Sequence, residues 1–352
     1  MLWDLFCRVV DNFGDIGVCW RLAADLASRG ERVRLWVDDP SALAWMAPDG
    51  ALGVTVLQWN ADAGAVDPGD VVVEAFACDP PPPFVQRMVV RPAAPVWINL
   101  EYLSAEAAAE RNHGLRSPQL EGPGKGLNKW FFYPGYSEAS GGLIRELGLM
   151  AAQQRFDAAA WLLRRGIAAR EGERRVSLFC YDNPALPGLL DALAQTPTLL
   201  LATAGQAANQ VQRALGPGLA RGALRAVALP LLTQQDFDAL LWSCDLNFVR
   251  GEDSLVRAQW AGQPFVWQIY PQHDRAHEAK LEAFLDRFLA LAGEPQCAEL
   301  RHLWRAWNGL SKQAIVPADL RPWHRHCVAW RSSLLAQADL TQQLLRFVAE
   351  RR

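Results

Sequence analysis

The chain has 352 residues, 51% of them hydrophobic and 21% charged, with a formal net charge of −3. Such a composition excludes a largely disordered chain, and the slightly negative balance disfavours a protein that grips duplex nucleic acid by neutralising phosphates. Because a single core stops growing at roughly 250 residues, two domains are expected.

At the start of the chain, Asp4, Asp11 and Asp15 stand where a signal peptide is basic and then apolar. No apolar run approaches the about 20 residues of a membrane span, so no membrane association and a cytoplasmic location are expected. Leu5 to Val10 reads as a buried strand and Asp11 to Gly17 as a glycine-punctuated turn. Val18 to Arg29 reads as a helix stopped at Gly30, followed by a strand over Arg32 to Val37. This opening predicts a parallel sheet wound in the Rossmann manner. Further strands are expected at Val54 to Leu57, Val71 to Phe76 and Val96 to Leu100, with Asp79 to Pro83 as a rigid extended loop. Asn112 to Tyr136 lacks periodicity and reads as a functional loop region.

A helix over Gln153 to Arg165 and a charged stretch from Arg170 to Arg175 precede a second α/β alternation. Its strands are Val176 to Tyr181, Thr198 to Ala202, Arg225 to Leu229 and Leu246 to Val249, and its helices Leu186 to Ala194, Ala207 to Leu215 and Thr233 to Ser243. Ala276 to Ala292, Ala298 to Asn308 and Asp339 to Glu350 read as helices. The expected domains are residues 1–155 and 156–334, both Rossmann-like α/β units facing each other across a cleft, with a helix near 335–352 packing back on the first. The seven scattered cysteines, without a C-x-x-C, read as reduced buried hydrophobes. His324 and His326 beside Cys327 supply too few ligands for zinc, and no metal site is expected. Most of the fifteen tryptophans read as packing anchors.

Two segments carry chemistry. The loop Asp11-Asn12-Phe13-Gly14-Asp15-Ile16-Gly17 lies between the first strand and first helix, where open α/β sheets bind ligands. Gly14 and Gly17 let a backbone approach a ligand closely. Asp11 and Asp15, four apart, suit proton abstraction and charge stabilisation, although on spacing alone a helix cap and a turn explain them better. Neither G-x-G-x-x-G nor a P-loop is present. The second segment, Arg250-Gly251-Glu252-Asp253-Ser254, follows a strand and opens a helix, the geometry of an anion site. Glu252 suits a sugar hydroxyl, and Phe179, Tyr181 and Phe237 are placed to sandwich a nucleobase. Tyr270, Gln272 and His273 follow the next strand end, His273 more as a structural group than as an acid or base.

Asp11-Asn12-Phe13-Gly14-Asp15-Ile16-Gly17-Val18-Cys19-Trp20-Arg21-Leu22, with Arg250 to Ser254 and Trp267-Gln268-Ile269-Tyr270-Pro271-Gln272, resembles the elongation factor P arginine rhamnosyltransferases, essentially from end to end. The resemblance implies an inverting GT-B glycosyltransferase that uses dTDP-β-L-rhamnose, needs no metal or cofactor, and binds donor in its C-terminal and acceptor protein in its N-terminal domain. By the same resemblance Asp11, Asp15 and Glu252 are the essential carboxylates, Asp15 foremost as general base. Phe179, Tyr181, Phe237, Arg250, Asp253, Ser254 and Tyr270 resemble the nucleotide pocket, and Asn12, Phe13, Gly14, Gly17, Gly251 and Gln272 are grouped with them as donor-binding. The residues read alone leave open a GT-B enzyme with another nucleotide sugar or acceptor, or a nucleotide-dependent elongation factor P binding protein without turnover. An oxidoreductase stands behind both, for want of the dinucleotide fingerprint.

Overall fold

Runs of Val, Leu and Ile that are buried on both faces form the strands, as expected of parallel sheets covered on each side by helices. The computed structural model describes residues 1–10, 13–271, 276–311 and 319–352. It divides into one unit of Met1–Leu147 with Leu334–Arg352 and a second of Gly148–Ser333.

The first unit contains β1 (Leu2–Cys7), α1 (Gly14–Ser28), β2 (Arg32–Val37), α2 (Leu43–Met46), β3 (Val54–Gln58), β4 (Val71–Ala75), α3 (Pro82–Val90), β5 (Val96–Leu100), α4 (Ala107–Asn112), β6 (Arg116–Pro118) and β7 (Asn128–Phe132). Among the described residues its sheet has the order β3-β2-β1-β4-β5-β7-β6, parallel except for the β6–β7 hairpin. β1 begins three residues before the expected Leu5, and the reason is a buried charge. Asp4 accepts from Arg34 Nε and Nη2, each at 2.7 Å, from Trp36 Nε1 at 2.8 Å and from the Gly69 amide at 2.6 Å, so a residue typical of a surface lies inside the sheet. α1 begins at Gly14 rather than Val18, which puts Gly14 and Gly17 in helix instead of a turn. Pro82 and Pro83 open α3, since a proline at the first helical positions lacks only an amide that has no partner there; the proline run is therefore half loop and half helix. β6 and β7 order part of the Asn112 to Tyr136 stretch.

The second unit contains α5 (Leu149–Gln154), α6 (Ala158–Arg164), β8 (Arg174–Leu178), α7 (Leu186–Leu193), β9 (Thr198–Ala202), α8 (Gln206–Leu215), β10 (Ala220–Arg221), β11 (Leu224–Ala228), α9 (Gln234–Ser243), β12 (Leu246–Arg250), α10 (Gly251–Ala261), β13 (Phe265–Gln268), α11 (Ala276–Leu289), α12 (Glu294–Trp307) and most of α13 (Leu320–Leu335). Its sheet, in the order β10-β11-β9-β8-β12-β13, is parallel except at β10. The helix expected over Gln153 to Arg165 is two helices, because the Asp157 side chain accepts from the Ala160 amide and starts a new one. Behind β13 the rings of Phe265, Phe284, Phe288, Trp304 and Trp330 pack in contact, and Trp260, Trp304, Trp307 and Trp323 are fully buried.

The chain re-enters the first unit at Leu334, and α14 (Leu340–Ala349) packs there. Phe347 lies edge-on to Phe132 and Trp130. Arg29, which caps the end of α1, joins Asp25 at 2.9 Å and Asp339 at 2.8 Å. Among the described residues no helix is long and apolar enough to cross a membrane.

Candidate functional site

In the first unit the carboxyl ends of β1, β4 and β5 carry the chemistry-bearing loops. α1 is apolar at Ile16, Cys19, Leu22, Ala23 and Leu26, all buried, and this seam fixes how its first turn presents Asp15. Asp15 is itself 3% exposed. Its Oδ2 accepts from the Val10 amide at 2.8 Å, and the Tyr102 hydroxyl lies 3.5 Å from Oδ1. The helix N-cap, Phe13, makes no side-chain cap bond and instead packs edge-on to Trp45. Asp15 thus ties the helix back to the loop before it rather than closing a simple cap. Asp11 and Asn12 lie outside the described residues.

Beneath this edge, Glu74 is almost fully buried and accepts from Lys129 Nζ at 2.5 Å and Trp97 Nε1 at 3.0 Å. Burial raises its carboxyl above the usual range, against the pull of Lys129. Burial, then the neighbouring Cys7 thiol, holds Cys19 well above the ordinary thiol range, so Cys19 serves as packing and not as a nucleophile.

In the second unit β12 passes into α10 without a linker. Gly251 makes the turn at φ 69°, a left-handed conformation that favours glycine. Arg250, the last residue of β12, lays its guanidinium 4.5 Å from the Phe179 ring centre and 4.4 Å from that of Tyr181. It donates to the Cys180 carbonyl at 3.1 Å and to Gln206 Oε1 at 2.6 Å. Phe237 meets Phe179 edge-on at 5.5 Å, and the half-exposed Tyr270 meets Tyr181 at 5.4 Å. The Tyr181 amide donates to Gln268 Oε1, and Gln210 Nε2 donates to the Tyr181 carbonyl, which pins the platform from behind. The Ser254 hydroxyl bonds the amide and carbonyl of Arg250. Glu252 and Asp253 occupy the first turn of α10 and already complement its dipole. Positive charge for an anionic ligand therefore comes from Arg250. Burial pushes the Cys180 thiol up to about 12, which removes it as a nucleophile.

The structure thus brings Phe179, Tyr181, Phe237, Arg250 and Tyr270 into one cluster, with Gly251, Glu252, Asp253 and Ser254 following directly in α10. Gln272 and His273 lie outside the described residues. An open groove of about 850 Å³, lined by Asp182, Gln206, Asn209, Gln210 and Arg213, runs along α8 beside this cluster. Sequence reasoning did not single out Tyr102, Gln206 or Gln210. Their one available signal was position: Tyr102 and Gln206 come just after the strands β5 and β9, at the edge where parallel sheets bind ligands. Among the described residues no group of three or more His, Cys, Asp and Glu is arranged to hold a metal ion.

Residues 3–349 match the family model described as Elongation-Factor P (EF-P) rhamnosyltransferase EarP. The chain is 44% identical to the protein-arginine rhamnosyltransferase of Pseudomonas aeruginosa, over 99% of each. It is 33% identical, with a TM-score of 0.69 over 99% of each chain, to a structure solved for the basis of EarP-mediated arginine glycosylation of translation elongation factor EF-P. The glycosyltransferase VinC in complex with dTDP shares the fold alone, with a TM-score of 0.55 at 14% identity over the whole of both chains. The α/β architecture is that of the GT-B glycosyltransferases.

Proposed function

Because the chain belongs to the elongation factor P rhamnosyltransferase family, we propose that it transfers L-rhamnose from dTDP-β-L-rhamnose to an arginine of elongation factor P, with inversion, in the cytoplasm. The observation that carries the donor half is the Arg250 guanidinium held on Phe179 and Tyr181. A fixed cation beside aromatic faces suits a ligand that joins a diphosphate to a nucleobase. Glu252, Asp253, Ser254, Tyr270 and Gln272 complete this reading of the donor site, and the reading assigns no resident metal or cofactor.

An arginine side chain is a poor nucleophile because it stays protonated at neutral pH. Asp15, whose two oxygens are already oriented by Val10 and Tyr102, is assigned as the base. It accepts a guanidinium proton as the nitrogen forms its bond to the anomeric carbon, while the bond from that carbon to the diphosphate oxygen breaks. Arg250 offsets the charge that collects on departing dTDP. Asp11 is assigned to hold the cationic guanidinium before the proton leaves, and Glu252 to accept from a sugar hydroxyl of the donor.

The test is the intact mass of elongation factor P after incubation with this protein and dTDP-β-L-rhamnose, beside an Asp15→Asn control. One deoxyhexose on an arginine, absent from the control, is expected. A folded protein that binds dTDP yet adds no mass would overturn the assignment of donor or acceptor.

A further inference from the structure

We infer that Tyr102 is a positioning residue for Asp15, its hydroxyl holding the carboxylate in the plane from which it takes the guanidinium proton. The inference rests on the reading of Asp15 as the base.

A carboxylate anchored at one oxygen swings about its terminal torsion, which is soft and broad. Asp15 is addressed from two sides. The Val10 amide reaches Oδ2 at 2.8 Å from the loop after β1, and the Tyr102 hydroxyl reaches Oδ1 at 3.5 Å from the exit of β5. Contacts of this kind are loose in a free enzyme and tighten around a bound substrate.

The placement of the Tyr102 ring is itself supported. It lies flat on Phe76, with ring centres 4.2 Å apart and planes 11° apart. Phe76 and the next residue, Ala77, both adopt left-handed backbone, at φ 57° and 55°, which costs energy for any residue with a side chain. The strain is held by the sheet edge. The Phe76 amide donates to the Leu100 carbonyl at 2.7 Å, and the Ala77 amide donates to Asn99 Oδ1 at 3.2 Å. Asn99 is buried, and its Nδ2 donates to Glu101 Oε1 at 2.7 Å. Tyr102 nevertheless remains 43% exposed, so burial of the ring does not account for the arrangement. The strained turn serves to set a stacking shelf that aims a phenolic hydroxyl at one oxygen of Asp15.

The test is steady-state transfer by Tyr102→Phe, with elongation factor P and dTDP-β-L-rhamnose, beside wild type and Asp15→Asn. The substitution keeps the ring and the stack. Expected is a fall in kcat of about 10-fold with KM for the acceptor within about two-fold. Phe76→Leu, which keeps the hydroxyl but removes the shelf, changes kcat in the same direction by less. Wild-type kcat in Tyr102→Phe, with Asp15→Asn inactive, overturns the inference while the assignment of the base stands. Full activity in Asp15→Asn removes that assignment and the inference with it.

Discussion

Arg250 combines three functions that a lysine at the same place separates. Its flat guanidinium packs on both Phe179 and Tyr181, it donates to two oxygens at once, and it carries charge toward an anion. A lysine ammonium keeps the charge and loses the flat face. Arg250→Lys is expected to weaken dTDP binding by about 10-fold, or about 1.4 kcal/mol, read by titration calorimetry with the unfolding midpoint unchanged; wild-type affinity would remove Arg250 from the donor site. This residue was legible because it sits in an unusual five-residue string at a strand end. Gln206, which accepts from Arg250, was not, since a glutamine opening a helix carries no pattern of its own and its role exists only once β9 and β12 lie in one sheet. Asp4 misled for the converse reason: its four donors come from residues 34, 36 and 69, which local sequence does not bring together.

At the scale of elements, alternation and apolar runs located most strands to within a few residues and the helix starts capped by Thr233 and Asp339 to within one, whereas the break between α5 and α6 was missed. The start of α6 depends on Asp157, and α13 was not foreseen at all, because Arg321, His324, Arg325 and Arg331 dilute its apolar period. α13 is nonetheless fastened through His326, whose Nε2 lies 2.7 Å from the Phe288 carbonyl of α11 and whose ring meets that of Phe288 at 4.7 Å. Burial lowers the His326 pKa, outweighing the support of that carbonyl. A histidine harder to protonate in the fold than in the unfolded chain binds fewer protons when native. Its contribution is therefore present above the unfolded value of about 6.5 and is lost as pH falls through the lowered native one. The thermal midpoint is expected to fall between about pH 7.5 and about pH 5, and His326→Gln to flatten part of that slope; an unchanged slope in the variant would place the titration elsewhere. His113, its pKa lowered by burial and by the charge of Arg351, adds to it in the first unit.

At the scale of the molecule, the first unit is built from two separated stretches, Met1–Leu147 and Leu334–Arg352. The second stretch is integral to it. Leu340, Leu344 and Val348 are buried, the Leu340 amide donates to the Leu143 carbonyl at 2.9 Å, and a Cβ at Gly142 would come within 2.6 Å of Ala338 O and Gln343 Nε2. A chain cut after Ser333 is expected to lose amide-exchange protection in β5 and β7 while β8, β9 and β12 stay protected. Equal protection in both sheets would show that α14 is dispensable. Sequence periodicity revealed the helix near 339–350, but its partner surface is a matter of topology. The arrangement also governs how the protein is made. A ribosome must synthesise all of residues 148–333 before it emits the segment that packs on the sheet it began with, so the half of the enzyme started first is the half finished later.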